Sequence, residues 1–446
     1  MRVAVLGSGA REHALAAKLV ASPCCRELVV LPGNEGMARA GLKTAPVDLK
    51  DHAAVAAKLR ELDIEFAVIG PDDLLAAGLV DDLEAEGLLA FGPKRAAARI
   101  ESSKAFAKEM MEAAGIPTAR HVVLKADDAP KLEQVVESLG GYPIVMKYDG
   151  LALGKGVRIC VDAREGAEFV KEVFEDKIFE RVGRSEASGS KDTKKTPPPL
   201  MVVEQLLSGH EVSVFALTDG KRLAVLEPSC DHKRLGEGNV GPNTGGMGAY
   251  SPVPWLGAEQ LAEIVEKVFA PLLTAMREAK SSFKGLLYAG LMVRGRDFWV
   301  LEYNARFGDP ETQAILPRLE SDLLPLLYGI ANGCFERNLD ANPMRWSSNA
   351  CVNVVAASRG YPEAPETGMK IEGVDDLLLA KGPRVYFAGV KAREGGLVTS
   401  GGRVLGVSAL GESLDAARSD AMAALEKIRF EGMKFRRDVG SVRANY

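Results

Sequence analysis

Phe298-Trp299-Val300-Leu301-Glu302-Tyr303-Asn304-Ala305-Arg306-Phe307-Gly308-Asp309-Pro310-Glu311 opens as an apolar strand and ends as a run of acids, an amide and a cation. Side chains alternate along a strand, so Glu302 and Asn304, two apart, project from the same face near its end. A carboxylate and an amide oxygen so placed suit a hard cation such as Mg2+, which takes oxygen ligands and commonly bridges protein to substrate phosphates. Arg306 is spaced to hold a carboxylate or phosphate in its planar fork. Glu-x-Asn alone would read as solvated residues at a strand end; the charge gathered between Glu302 and Glu311 reads as an active site.

Outward from this stretch, the chain has 446 residues and is 47% hydrophobic, room for about three domains with buried cores. A net charge of −5 gives no basic field for nucleic acid, and no apolar run reaches the roughly 18 residues that a membrane span needs. Neither nucleic acid nor membrane is expected as a partner. Met1-Arg2-Val3-Ala4-Val5-Leu6 meets Arg11, Glu12 and His13 almost at once, too short an apolar run for a secretion signal, and reads as a first strand. The six cysteines (24, 25, 160, 230, 334, 351) suggest neither a disulfide framework nor a zinc site, and the five histidines show no metal-ligand spacing. A reducing cytoplasm is the expected compartment.

The first hundred residues alternate apolar runs (Val3–Leu6, Leu28–Leu31, Phe66–Gly70, Leu88–Phe91) with helical patterns from about Arg11 and Asp51, which predicts a parallel sheet with helices on its faces. Helical patterns around 102–114 lead through Gly115-Ile116-Pro117 to strands over Pro143–Lys147 and Val157–Val161, with Asp149-Gly150-Leu151-Ala152-Leu153-Gly154-Lys155-Gly156 as the hairpin loop between them. Residues 183–199 are polar, end in three prolines and predict a mobile surface insertion. Further strands are expected at 201–205 and 212–217, then a glycine-dense loop at 236–248, a helix at about 258–279 and a strand pair leading to Glu302. Segments near 350–356 and 384–408 read as β-rich and 412–428 as a closing helix. The overall expectation is a multi-domain α/β protein.

Gly7-Ser8-Gly9-Ala10-Arg11-Glu12-His13 follows strand one and opens a helix, where backbone N–H groups receive phosphate. A dinucleotide site is opposed by Glu12 at the third glycine position and by the ending Leu31-Pro32-Gly33-Asn34, which lacks the ribose-binding acid. A phosphorylated small molecule fits better. Lys147 ends a strand and Lys155 sits in the glycine loop, a pairing suited to a lid over phosphates. Glu204 is placed to accept from an adenine amino group, with backbone amides near Leu207 completing the base edge, and Glu211 to accept from ribose hydroxyls. Asp231-His232-Lys233-Arg234 and Gly241-Pro242-Asn243-Thr244-Gly245-Gly246-Met247-Gly248 set charge beside bare backbone, which fits close approach to a small ligand.

Together these motifs, with Ser103-Lys104-Ala105-Phe106, Arg306–Gln313 and Ser321-Asp322-Leu323, resemble the glycinamide ribonucleotide synthetase (phosphoribosylamine–glycine ligase) family of ATP-grasp enzymes, and the resemblance covers nearly the whole chain. It implies a Rossmann-like N-terminal domain over 1–101, an ATP-grasp core over 102–329 with a mobile lid at about 118–205, and a small β-rich C-terminal domain over 330–446. It implies that Lys104, Lys147, Lys155, Glu204, Leu207 and Glu211 hold ATP, and that Glu302 and Asn304 hold Mg2+ or Mn2+. Gly9, Arg11, Asn34, Asn243, Thr244, Gly245, Gly246 and Met247 would then face 5-phosphoribosylamine, while Asp231, Lys233 and Arg306 orient glycine or the transferred phosphoryl group. The reaction implied is ligation of glycine to 5-phosphoribosylamine through a glycyl phosphate, giving glycinamide ribonucleotide, ADP and phosphate in purine biosynthesis. A cytoplasmic monomer with this single activity is the expectation.

Three departures from the family pattern stand out. Gly70-Pro71-Asp72-Asp73 replaces the usual Gly-Pro-Glu, Tyr148 and Leu153 replace small lid residues, and 183–199 is inserted. The competing readings are another ATP-grasp ligase or carboxylase of nucleotide metabolism, sharing Lys147, Glu204 and Glu302, and a nucleotide-binding sensor without turnover.

Overall fold

The structure, a computed structural model, describes residues 1–152, 156–176, 178, 199–380 and 382–441. Lys155 in the glycine loop and residues 183–198 of the polar insertion lie outside the described residues.

The alternation at the N-terminus gives five parallel strands in the order Lys43–Thr44, Glu27–Pro32, Arg2–Gly7, Phe66–Ile69 and Ala90–Phe91. Val3, Leu6, Val30, Phe66 and Val68 are wholly buried, as the strands of a sheet covered on both faces must be. Helix His52–Glu61 starts where Asp51 accepts a hydrogen bond from the Ala54 N–H. The helical stretch expected around 102–114 is helix Lys104–Ala113, preceded by Arg95–Ser102 and capped by Ser103, whose hydroxyl accepts from the Phe106 N–H at 3.0 Å.

The lid segment forms an antiparallel sheet in the order His121–Lys125, Leu200–Gln205, Ile144–Tyr148, Val157–Cys160. With helices Leu132–Leu139 and Ala163–Phe174 it buries a core of its own around Leu124, Met146, Phe169 and Met201. Facing it is a second antiparallel sheet, Leu223–Val225, His210–Thr218, Gly285–Arg294, Asp297–Asn304. In the last pair, Gly290 lies opposite Glu302 and Leu291 opposite Val300, so Leu301 is a β-bulge immediately before the candidate metal ligand.

Three features differ from the sequence expectation. The stretch at 236–248 is not simply loop: Arg234–Gly236 pairs with Val240–Asn243, a hairpin whose glycines mask the period-two pattern. The helix at about 258–279 is broken by a π-turn at Val265–Phe269. Strands Cys230–Asp231 and Gly248–Ser251 join Ala350–Ala357, Arg403–Gly411 and Arg384–Phe387 in one sheet, so the β-rich C-terminal region draws strands from upstream of residue 330. Helices Leu324–Asn332 and Phe335–Ala341, marked by no motif, pack Leu324, Leu327, Ile330 and Phe335 into the core beneath Val3 and Phe66. Among the described residues no helix is long and apolar enough to cross a membrane.

Candidate active site

A cleft of about 1550 Å³ opens between the lid sheet and the sheet that carries Glu302. It is lined by fourteen of the candidate residues: Arg11, Lys104, Lys147, Glu204, Leu207, Glu211, Asp231, Lys233, Asn243, Thr244, Gly245, Glu302, Asn304 and Arg306. Gly9, Asn34, Gly246 and Met247 do not line it.

Glu302 and Asn304 lie on one strand, opposite Gly290 and Tyr288. Burial opposes the charge of Glu302, but Lys233, Lys147, Lys104 and Arg306 outweigh it and hold its carboxyl below the ordinary range. Lys233 sits 2.7 Å from Glu211 and 4.0 Å from Glu302. Burial works against that ammonium too, yet Glu211, Asp231 and Glu302 hold its pKa well above the usual lysine value. Asp231 goes the other way: burial, partly offset by Lys233 and reinforced by Glu311, Glu211 and Glu302, raises its carboxyl above the ordinary range. Arg306 pairs with Glu101 at 3.0 Å and donates to Asn304 Oδ1 at 3.3 Å, while its buried Nε has no protein partner.

One carboxylate and one neutral amide oxygen do not make a closed metal cage, and among the described residues no three His, Cys, Asp or Glu groups come together as one. An ionised carboxylate and an amide oxygen on one face fit a cation whose remaining ligands are phosphates and water.

The lid contributes Lys147, which donates to the carbonyl of the bulged Leu301 at 2.8 Å and lies 3.0 Å from Glu204. Glu204 is 2% exposed, and its Oε1 lies at ion-pair distance from both Lys147 and Lys108, the latter at 3.1 Å, without a hydrogen bond to either. Lys104 donates to the Gly150 carbonyl at 2.9 Å, and Asp149 accepts from Ala105 N–H at 3.0 Å, fixing the start of the glycine loop to the helix N-terminus. The family departure at Tyr148 is accommodated locally: a Cβ on Gly150 would come within 2.4 Å of the Tyr148 ring.

At the N-terminal sheet, Glu12 occupies the phosphate-receiving turn expected at Gly7–His13, against a dinucleotide and a smaller phosphate alike. Its carboxylate accepts from the Gly9 N–H at 2.7 Å and pairs with Arg11 at 2.6 Å, filling the turn that a pyrophosphate would need. Arg11 also donates to the Phe307 carbonyl at 3.3 Å. Asn34 caps helix Glu35–Arg39 by accepting from Met37 N–H, and its amide donates to Ser8, Phe387 and Ala388 carbonyls. Its polar atoms are thus engaged within the protein.

The 243–247 segment is held by residues far off in sequence. Thr244 donates to the Lys233 carbonyl at 2.8 Å and accepts from Gly246 N–H at 3.0 Å. Tyr361 accepts from Gly245 N–H at 2.9 Å, and Arg403 donates to the Gly245 carbonyl at 2.6 Å while pairing with Asp309 at 3.1 Å. Met247 is fully buried, and a Cβ on Gly246 would meet Pro310 at 2.4 Å. Sequence reasoning missed Lys108, Glu101, Tyr361 and Arg403. Lys108 was signalled by its i+4 spacing from Lys104; the other three carry no local signature.

Comparison with known proteins identifies the family. The chain matches the family Phosphoribosylglycinamide synthetase in three consecutive parts: N domain over residues 1–101, ATP-grasp (A) domain over 102–312 and C domain over 351–442. It is 41% identical to the phosphoribosylamine–glycine ligase of Mesorhizobium japonicum, covering 99% of this chain and 98% of that one. It is 42% identical to the trifunctional purine biosynthetic protein adenosine-3 of Gallus gallus, covering 98% of this chain and 42% of that protein. Among solved structures, the phosphoribosylamine–glycine ligase of Thermotoga maritima superposes with a TM-score of 0.78 at 32% identity, covering 98% of this chain and all of that one. The biotin carboxylase domain of Hydrogenobacter thermophilus 2-oxoglutarate carboxylase shares the fold alone, with a TM-score of 0.70 at 18% identity over 97% of this chain and 91% of that one. From the Rossmann-like sheet to the ATP-grasp cleft and the β-rich C-terminal region, this chain belongs to the phosphoribosylglycinamide synthetase family.

Proposed function

We propose that the chain ligates glycine to 5-phosphoribosylamine at the expense of ATP, giving glycinamide ribonucleotide, ADP and phosphate. The observation that carries this reading is the meeting of Lys104, Lys147, Glu302, Asn304, Lys233 and Arg306 in one cleft. Phosphoryl transfer asks for positioning and charge stabilisation rather than a protein nucleophile, and this set supplies both. Lys104 and Lys147 hold ATP phosphates, the backbone near Leu207 meets the base edge, and Glu211 faces the ribose. Glu302 and Asn304 hold Mg2+ or Mn2+, which when bound neutralises charge on the phosphates. Arg306, with its unpartnered Nε, and Lys233 orient the glycine carboxylate that takes the γ-phosphoryl group. Asp231, uncharged more readily than an ordinary carboxyl, lies beside them.

The amine of phosphoribosylamine then attacks the glycyl phosphate, with the 243–246 segment and Arg11 facing the sugar phosphate. Gly9 acts from behind the cleft, through Glu12 on Arg11, and Asn34 by capping helix Glu35–Arg39 beside the same turn. An acyl phosphate hydrolyses if wet, which gives a lid built on a separate core its purpose in closing. We assign residues 1–101, together with the 243–246 segment, to the amine substrate, the rest of 102–329 to ATP and glycine, and 330–446 to the outer wall, in a cytoplasmic monomer.

ATP consumption with Mg2+ and phosphoribosylamine generated in place from ribose 5-phosphate and ammonia, measured with and without glycine, tests the reading. Glycine-dependent ADP formation with a product of glycinamide ribonucleotide mass supports it. Hydrolysis indifferent to glycine, or driven by bicarbonate instead, overturns the substrate assignment.

A further inference from the structure

Lys108 lies outside every motif, yet it lines the cleft and is only 2% exposed. Its Nζ stands 3.1 Å from Glu204 Oε1 and donates to Thr118 Oγ1 at 2.7 Å. Lys147 approaches that same Glu204 oxygen at 3.0 Å and donates to the Leu301 carbonyl at 2.8 Å. Thr118 in turn donates to the Val300 carbonyl at 2.7 Å. Two ammonium groups therefore share one buried carboxylate. One directly and one through Thr118, they hold the two consecutive carbonyls that precede Glu302.

A single lysine facing a single buried carboxylate is a closed pair, strong in low dielectric, and a phosphate must compete with it. A second lysine on that carboxylate changes the balance, because the pair then carries a surplus positive charge. We infer that Lys108 is a positioning residue for Lys147: by neutralising Glu204 it leaves the Lys147 ammonium available to nucleotide phosphates. Through Thr118 it also fixes the strand that presents Glu302. This rests on the cleft being the ATP site.

The charge environment agrees. Burial lowers the Lys108 pKa to about 8, offset by Glu204 and reinforced by Lys147, so the group is still mainly protonated at neutral pH. Glu112 on its own helix and His121 on the lid's edge strand complete the titratable groups around it.

Steady-state kinetics of Lys108→Met, alone and combined with Glu204→Gln, test the inference. The single variant is expected to raise KM for ATP at least tenfold with KM for glycine within twofold. The double variant should recover most of that loss, because the carboxylate that would capture Lys147 is gone; lost packing would not be restored this way. Thermal melts with and without ATP report whether each variant is folded. Wild-type ATP turnover together with an unchanged Lys108→Met, or a double variant no better than the single, overturns the inference alone. Wild-type protein that binds and consumes no ATP overturns the functional reading as well.

Discussion

Glu302 lines the cleft and keeps 35% of its side-chain surface exposed, so its removal is a change of chemistry more than of packing. Glu302→Ala is expected to lower ligase turnover by at least about a hundredfold while the melting temperature stays near wild type. Near-normal turnover would sink the metal assignment. Arg403 makes the complementary case. It reaches from the C-terminal region to the Gly245 carbonyl and to Asp309, and Arg403→Ala forfeits charged hydrogen bonds worth roughly 1.5–3 kcal/mol each. The expected result is a KM for phosphoribosylamine raised about tenfold or more with KM for ATP little changed, read from initial rates. The contrast between these residues shows what the chain discloses by itself. Glu302, Asn304 and Arg306 were legible because strand periodicity places all three within one short run. Arg403 and Tyr361 were not, because only tertiary folding brings them beside a loop more than a hundred residues earlier.

Elements announced themselves where their period was clean and hid where glycine blurred it. Four of the five parallel strands of the N-terminal sheet read directly from their apolar runs, while the short polar edge strand Lys43–Thr44 did not, and Arg234–Gly236 and Val240–Asn243 carry too little side chain to show alternation. Element contacts also leave marks that a sequence cannot: a Cβ on Gly36 would fall 2.2 Å from Phe387 Cγ, where helix Glu35–Arg39 meets strand Arg384–Phe387. Gly36→Ala should therefore cost about 1–3 kcal/mol by overpacking, seen as an earlier urea midpoint. An unchanged midpoint would mean that the two elements part without penalty.

Over the whole molecule, the N-terminal and C-terminal regions are joined through a buried neutral imidazole. His13 Nδ1 accepts from the Phe387 N–H at 3.0 Å and its ring lies between Tyr386 and Phe387. Burial lowers its pKa from 6.5 to about 4. The unfolded chain takes up the proton below about 6.5 and the folded one only near 4, so stability is full above pH 6.5 and falls as pH drops toward 4. The loss attributable to His13 is about 3 kcal/mol. His232, lowered to about 4 by burial and then by Arg436, adds in the same direction. Urea unfolding at pH 7 and pH 5 should show about 2 kcal/mol of loss from each of the two histidines, and His13→Asn should remove its share. The sheet shared by Gly248–Ser251 and Ala350–Ala357 has a consequence for anyone dividing this chain. A fragment stopped before residue 350 would expose a bare row of amide and carbonyl groups along Gly248–Ser251, an invitation to edge-to-edge aggregation, so the ATP-binding half is expected to stay soluble only with its C-terminal cover attached.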